Sequence, residues 1–193
     1  SILRDIRANT DIGETTFYEY VAALKKLFVI QDIEAWCPAI RSKSSIQSGN
    51  KREFVDPSLV VSALGVEPDY FNLDLKTFGF IFETLCIRDL KIYSNALGGR
   101  VSYYRDRYGL EADCVLHLRD GKYALIEFKL GSSEIDEGAK HLNEIEKLVE
   151  EYNKTEKQCL LRAPDLKIVI TGTQYGYKRP DGVYVVPIGC LRD

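Results

Sequence analysis

The chain has 193 residues, of which 45% are hydrophobic, and a formal net charge of −3. That is enough apolar material for one medium domain or two small ones, and any nucleic-acid binding would have to come from a local basic patch rather than the bulk field. It contains no apolar run long enough to span a bilayer and no charged-then-apolar leader, which predicts a soluble cytoplasmic protein with no membrane partner.

Five scattered cysteines without a CxxC, and only two histidines, His117 and His141, speak against a zinc site and for reduced thiols. The first residue is Ser1 and no methionine occurs, which predicts a trimmed fragment or a processed start.

In chain order, 1–8 predicts a short helix, and Thr16-Phe17-Tyr18-Glu19 reads as a capping box opening a second one. Phe17, Tyr20, Val21, Leu24, Leu27 and Phe28 then recur at the spacing of one apolar helix face. Residues 29–36 predict a strand and 53–55 a second short one, with Asp56-Pro57-Ser58 starting a helix that Gly65 stops. Two helices followed by a two-stranded ribbon is the order of a winged helix. Between the strands Arg41, Lys43, Lys51 and Arg52 stand without an acid, where a wing would contact phosphate; a solvated Ser-rich loop is the competing reading. The boundary falls in the polar stretch 67–74, giving a winged-helix-like module over 1–66 and a second domain over 67–193.

The second domain opens with a long apolar helix over 75–96, ended by Leu97-Gly98-Gly99, with Glu83 standing among Gly79, Phe80, Cys86 and Ile87. Strands follow over 100–106, 110–118 and 123–130, and then an amphipathic helix with Ile135, Ala139, Leu142, Ile145, Leu148, Val149 and Tyr152 on one face. A buried strand at 166–171 and a hairpin over 175–188, turning at Arg179-Pro180-Asp181-Gly182, complete the chain.

The chemistry concentrates in the central strand, Tyr123 to Leu130. Alternation puts Ala124, Ile126 and Phe128 on one face and Leu125, Glu127 and Lys129 on the other. In the strand before it, Glu111, Asp113, Val115 and His117 share a face opposite Ala112, Cys114 and Leu116. A two-residue Asp120-Gly121 loop would set Asp113 opposite Phe128 and split the carboxylates between the sheet's faces. A three-residue loop with a left-handed Gly121 sets Asp113 opposite Glu127, and only that register places Ile126 and Phe128 with Cys114 and Leu116. Facing carboxylates repel unless a cation joins them, and hard oxygen ligands suit Mg²⁺ or Mn²⁺. Lys129 is then placed to assist the water that attacks a phosphorus centre, and Glu83 to add a ligand through water. The competing reading keeps the cluster as salt bridges, Glu111 with Lys129 and Glu127 satisfied internally.

The order helix-Glu83, strand-Asp113, strand-Glu127-x-Lys129, then an amphipathic helix, resembles the PD-(D/E)XK nuclease superfamily. The resemblance implies an α/β fold with a mixed sheet flanked by helices, with Glu83, Asp113, Glu127 and Lys129 catalytic and the three acids toward metal. RecB-like members carry a glutamine-and-tyrosine motif in the following helix; here Lys140, His141 and Asn143 stand there.

More closely, Phe78-Gly79-Phe80-Ile81-Phe82-Glu83, Leu97-Gly98-Gly99-Arg100-Val101, Tyr104-Arg105-Asp106, Leu110-Glu111-Ala112-Asp113 and Ile126-Glu127-Phe128-Lys129-Leu130-Gly131 resemble the C-terminal region, of unknown function, of predicted prokaryotic AAA-type ATPases. This implies a fragment lying downstream of an ATPase core, itself without a P-loop or ATP site. The expected function is divalent-metal-dependent hydrolysis of nucleic-acid phosphodiester bonds; the alternative is a non-catalytic DNA- or protein-binding module regulating the ATPase.

Overall fold

The computed structural model describes residues 2–37, 49–155 and 158–192. Arg41 and Lys43 of the basic stretch lie outside them. The described N-terminal elements are α1 (Ile2–Arg7), α2 (Glu14–Lys26), β1 (Ile30–Ile33), β2 (Lys51–Phe54) and α3 (Pro57–Leu64). β1 and β2 form an antiparallel ribbon in the register Ile30↔Phe54 to Ile33↔Lys51. α3 starts where Asp56 accepts the backbone N–H of Ser58 at 2.8 Å, as its Asp-Pro-Ser signal predicts.

Two expectations for α2 are corrected. It begins at Glu14 after Gly13, with no side-chain cap, so Thr16 lies inside the first turn and the capping box is not used. Of its apolar face only Phe17 is buried; Leu27 and Phe28 are 71% and 77% exposed. Spacing shows that a helix has an apolar face but not that anything covers it.

The second half builds a three-layer sandwich. α4 (Leu75–Asn95) and α5 (Ile135–Thr155) cover a six-stranded sheet of β3 (Arg100–Arg105), β4 (Glu111–His117), β5 (Tyr123–Lys129), β6 (Leu166–Thr171), β7 (Tyr177–Lys178) and β8 (Tyr184–Pro187). The strand order is β3-β4-β5-β6-β8-β7, with β5, β6 and β8 parallel and the other pairs antiparallel. The mixed α/β architecture expected from the sequence is therefore present. α5 supplies the crossover between parallel β5 and β6, and its Ile135, Ala139, Leu142, Ile145 and Val149 are buried as the periodicity predicts, whereas Leu148 and Tyr152, expected on the same face, are exposed.

Strand alternation divides the core into two layers. Cys114, Ala124, Ile126 and Phe128 pack with Phe82, Cys86, Ile87 and Leu90 of α4. Val115, Leu125 and Val169 pack with α5 on the other face. The first layer also contains Ile33 from the ribbon, 1% exposed. Next to it Ala35 bridges Tyr103, the Trp36 N–H donates to the Tyr103 carbonyl at 2.7 Å, and the Trp36 ring lies 4.7 Å from that of Tyr123. The ribbon thus shares the core of the sandwich, across the boundary expected at 67–74.

Candidate active site

The β4–β5 turn settles where the carboxylates lie. Its register is Cys114↔Ile126 through His117↔Tyr123, continued by Leu118 N–H donating to the Lys122 carbonyl at 2.8 Å, and Gly121 has φ +84°. This is the three-residue bulged loop, which only a residue at ease with positive φ closes. The slipped two-residue register does not occur.

Backbone pairing of the two strands stops at Cys114↔Ile126, and there the Asp113 side chain takes over. Its Oδ2 accepts the Phe128 N–H at 2.9 Å, so a carboxylate stands where a ladder carbonyl would be. Glu127, next along β5, is 2% exposed. Its Oε2 lies 3.2 Å from Lys129 Nζ and its Oε1 3.7 Å from His141 Nδ1 on α5. Burial first, and then the Asp113 charge, push the Glu127 carboxyl up to about 8 against the pull of Lys129. Burial works to lower the Lys129 ammonium, but Glu127 and Asp113 outweigh it and hold it above its ordinary value.

Glu83 arrives from α4, where Lys51, the first residue of β2, forms an ion pair with it. Lys51 also lies 3.5 Å from Glu53, which in turn accepts a hydrogen bond from the buried Thr84 hydroxyl at 3.3 Å. Burial pushes the Glu83 carboxyl up to about 7, with Asp113 raising and Lys51 lowering it, and burial raises Glu53 as well. Lys51 is held above its ordinary value: burial opposes its charge, but Glu83, Glu53 and Asp113 together prevail. Lys51 is therefore turned into the cluster, which corrects its expected place in a phosphate-facing patch. Arg52, its neighbour, is exposed.

The salt-bridge reading is corrected in its particulars. Glu111 pairs with Arg105 at 2.9 Å, and Lys129 pairs with Glu127.

Among the described residues Glu53, Glu83, Asp113 and Glu127 thus face Lys51 and Lys129 as permanent cations, an excess of acid in which Glu127 is buried and the other three are part-buried. Among the described residues no three His, Cys, Asp or Glu side chains are gathered as a ready metal cage. The donor set nonetheless fits Mg²⁺ or Mn²⁺ better than a caged ion. Mg²⁺ is held by one or two carboxylates and keeps waters and substrate oxygens for the rest, and Asp113 and Glu127 are the two acids whose donors would suit it. Glu83, occupied by Lys51, is one step removed.

Two residues that matter here are not among those the sequence singled out. Gly138 packs the α5 backbone against the Glu-x-Lys face: a Cβ there would lie 3.1 Å from Lys129 Cε and 3.4 Å from Glu127 Cβ. Its signal was a glycine inside an otherwise regular helix. Glu53 carried none, as an acid in a short strand.

Residues 78–191 match the profile of a domain of unknown function (DUF4143), and residues 2–70 that of a second domain of unknown function (DUF8612). No curated protein matches the chain, and no solved structure does. No helix among the described residues is long and apolar enough to cross a membrane.

Proposed function

The chain belongs to the DUF4143 family, and from that premise we propose that it is a divalent-metal-dependent phosphodiesterase domain of PD-(D/E)XK type acting on nucleic acid. In this reading it works beside a winged-helix-like N-terminal module, in the cytoplasm, as the C-terminal region of an AAA-type ATPase. The observation that carries it is the Asp113 carboxylate, held at the end of the β4–β5 ladder against buried Glu127, with Lys129 paired to Glu127. An excess of acid at a part-buried site without a bound cation is unfavourable, and folds retain such clusters mostly where they have work to do.

Asp113 and Glu127 would hold Mg²⁺ or Mn²⁺, with Glu83 as the outer acid. When bound, the ion would supply Lewis acidity for attack on a phosphodiester. Asp113 is fixed for this task by the Phe128 N–H, which orients its carboxylate without neutralising it. Lys129, its charge secured by Glu127, faces the negative charge that develops on the phosphate oxygens. The sandwich around the cluster keeps bulk water from Glu127, so the local field is stronger than at a surface.

Metal titration of the protein followed by a nuclease assay tests the reading. Mg²⁺ or Mn²⁺ should raise the melting temperature of the wild type, and Asp113→Asn and Glu127→Gln should abolish both that rise and any cleavage. Lys129→Ala should keep the metal-induced rise and lose turnover by about 10²-fold or more. A wild type that neither responds to metal nor cuts DNA or RNA refutes the enzyme. The alternative, a non-catalytic docking module, draws its support from the Lys51–Glu83 ion pair, which leaves one of the three acids already satisfied.

A further inference from the structure

The metal-site reading leaves one feature of the cluster without a role. Lys51 does not belong to the sheet that carries Asp113 and Glu127. It comes from the ribbon, within the segment matched by a different family profile, and ends among Glu83, Glu53 and Asp113. The ribbon is seated firmly enough to aim it. Ile33, its β1 partner in register, is in the core, Tyr103 donates its hydroxyl to the Gly49 carbonyl two residues upstream, and Thr84 holds Glu53 on the same strand. Lys51 is half-buried, with 30% of its side chain exposed, whereas a cation reaching for solvent or for a nucleic-acid backbone would keep its head in water.

We propose that Lys51 is a resident counter-cation that competes with the divalent metal for the carboxylate cluster through Glu83, so that the N-terminal ribbon sets the metal affinity of the site. This rests on the metal reading of Asp113 and Glu127 and adds the device that regulates it. With Lys51 in place the acids of the α4 side are neutralised from within. With Lys51 withdrawn, Glu83 on α4 adds its charge to the pair that holds the ion, while Glu53, on the same strand as Lys51, moves with the ribbon. Any partner that shifts the ribbon therefore changes how strongly the sandwich binds metal, without touching Asp113 or Glu127.

The test is the dissociation constant of Mn²⁺, measured by calorimetry on the whole chain. Removing a unit positive charge from beside a divalent ion at a part-buried site should tighten binding by about tenfold, so Lys51→Met should bind Mn²⁺ about tenfold more tightly than the wild type. Lys51→Arg, which keeps the charge, should bind as the wild type does. On a Glu83→Gln background the gain from Lys51→Met should shrink to about threefold or less, because the carboxylate competed for is gone. If Lys51→Met is too unstable to measure, Lys51→Gln carries the same expectation.

A lowered melting temperature with an unchanged Mn²⁺ constant would make Lys51 a purely structural ion pair and overturn the proposal. So would weaker binding. The parent reading is separable: if Asp113→Asn abolishes Mn²⁺ binding while Lys51→Met leaves it unaltered, only the competition fails. If no variant and no wild type binds Mn²⁺, both fall.

Discussion

Glu127 illustrates how a single side chain can be expensive to ionise and still be kept. It sits on the central strand beneath α5, faced by Asp113 from β4, by Lys129 from its own strand and by His141 from the helix, with Glu83 and Lys51 beyond Asp113. Its carboxyl is pushed up to about 8 by burial and then by Asp113. A group whose folded value lies above its unfolded one binds more protons folded than unfolded between the two. Stability then falls as pH rises through that window. With a chelator present, the melting temperature of the wild type should therefore drop by at least about 4 °C between pH 5 and pH 9. Glu127→Gln, which imitates the protonated acid, should show a flatter profile across the same range. Equal slopes for the two proteins would mean that Glu127 is not the group responsible. Excess Mg²⁺ should flatten the wild-type profile, since a bound cation favours the ionised form.

The contact of α5 with β5 decides how well this cluster is held. Gly138 lies on the buried face of the helix, between Ile135 and Leu142, and a Cβ there would stand 3.1 Å from Lys129 Cε, a contact that only a small shift of Lys129 relieves. Glycine in a helix interior is unfavourable by about 1 kcal/mol against alanine, which close approach offsets here. Gly138→Ala should leave the melting temperature within about 2 °C, because the flexible Lys129 stem can yield a few tenths of an ångström. Gly138→Val adds bulk that Lys129 and Glu127 cannot both escape, and should lower it by several degrees through a cost of about 1–3 kcal/mol. Equal melting temperatures for the Gly and Val proteins would show that α5 is not seated as tightly as the contact implies.

Elements of this kind were the legible part of the sequence. The alternation of β4 and β5 and the Arg119-Asp120-Gly121 turn are local patterns, and together they determine that Asp113 and Glu127 meet. The face of α5 is equally local. What stayed hidden was every relation made at long range: that most of the apolar face of α2 stays exposed, what Ile33 packs against, and which acid Lys51 meets 32 residues away. A lysine beside an arginine after a Ser-rich stretch reads the same whether it faces phosphate or a part-buried glutamate. Burial of its partner is a property of the fold and not of the neighbouring residues.

At the scale of the whole molecule the two family matches suggest two units, yet the packing runs across the gap between them. Ile33 lies in one core layer with Phe82, Cys86, Ile87 and Leu90 of α4 and with Val101 and Tyr103 of β3. Trp36 leans on Tyr104 and Tyr123, Lys91 donates to Gln31 at 2.5 Å, and Arg88 pairs with Asp56 at 2.8 Å. By contrast α1 and α2 add little to this core, Phe17 being the buried side chain of α2. Cutting the chain at different points should therefore separate the helices from the ribbon. A fragment 29–193, which keeps the ribbon, should melt cooperatively within about 5 °C of the whole chain. A fragment 67–193 loses Ile33, Trp36 and Lys51 together. Loss of a buried Ile alone costs about 2–5 kcal/mol, and Glu83 is left as a part-buried carboxylate without its cation. That fragment should expose apolar surface, bind a hydrophobic dye and melt at least about 10 °C lower, if it melts cooperatively at all. A stable, dye-silent fragment 67–193 would mean that the sandwich folds without its ribbon and that the ribbon is an accessory to it; a destabilised fragment 29–193 would instead give α1 and α2 a share in the core.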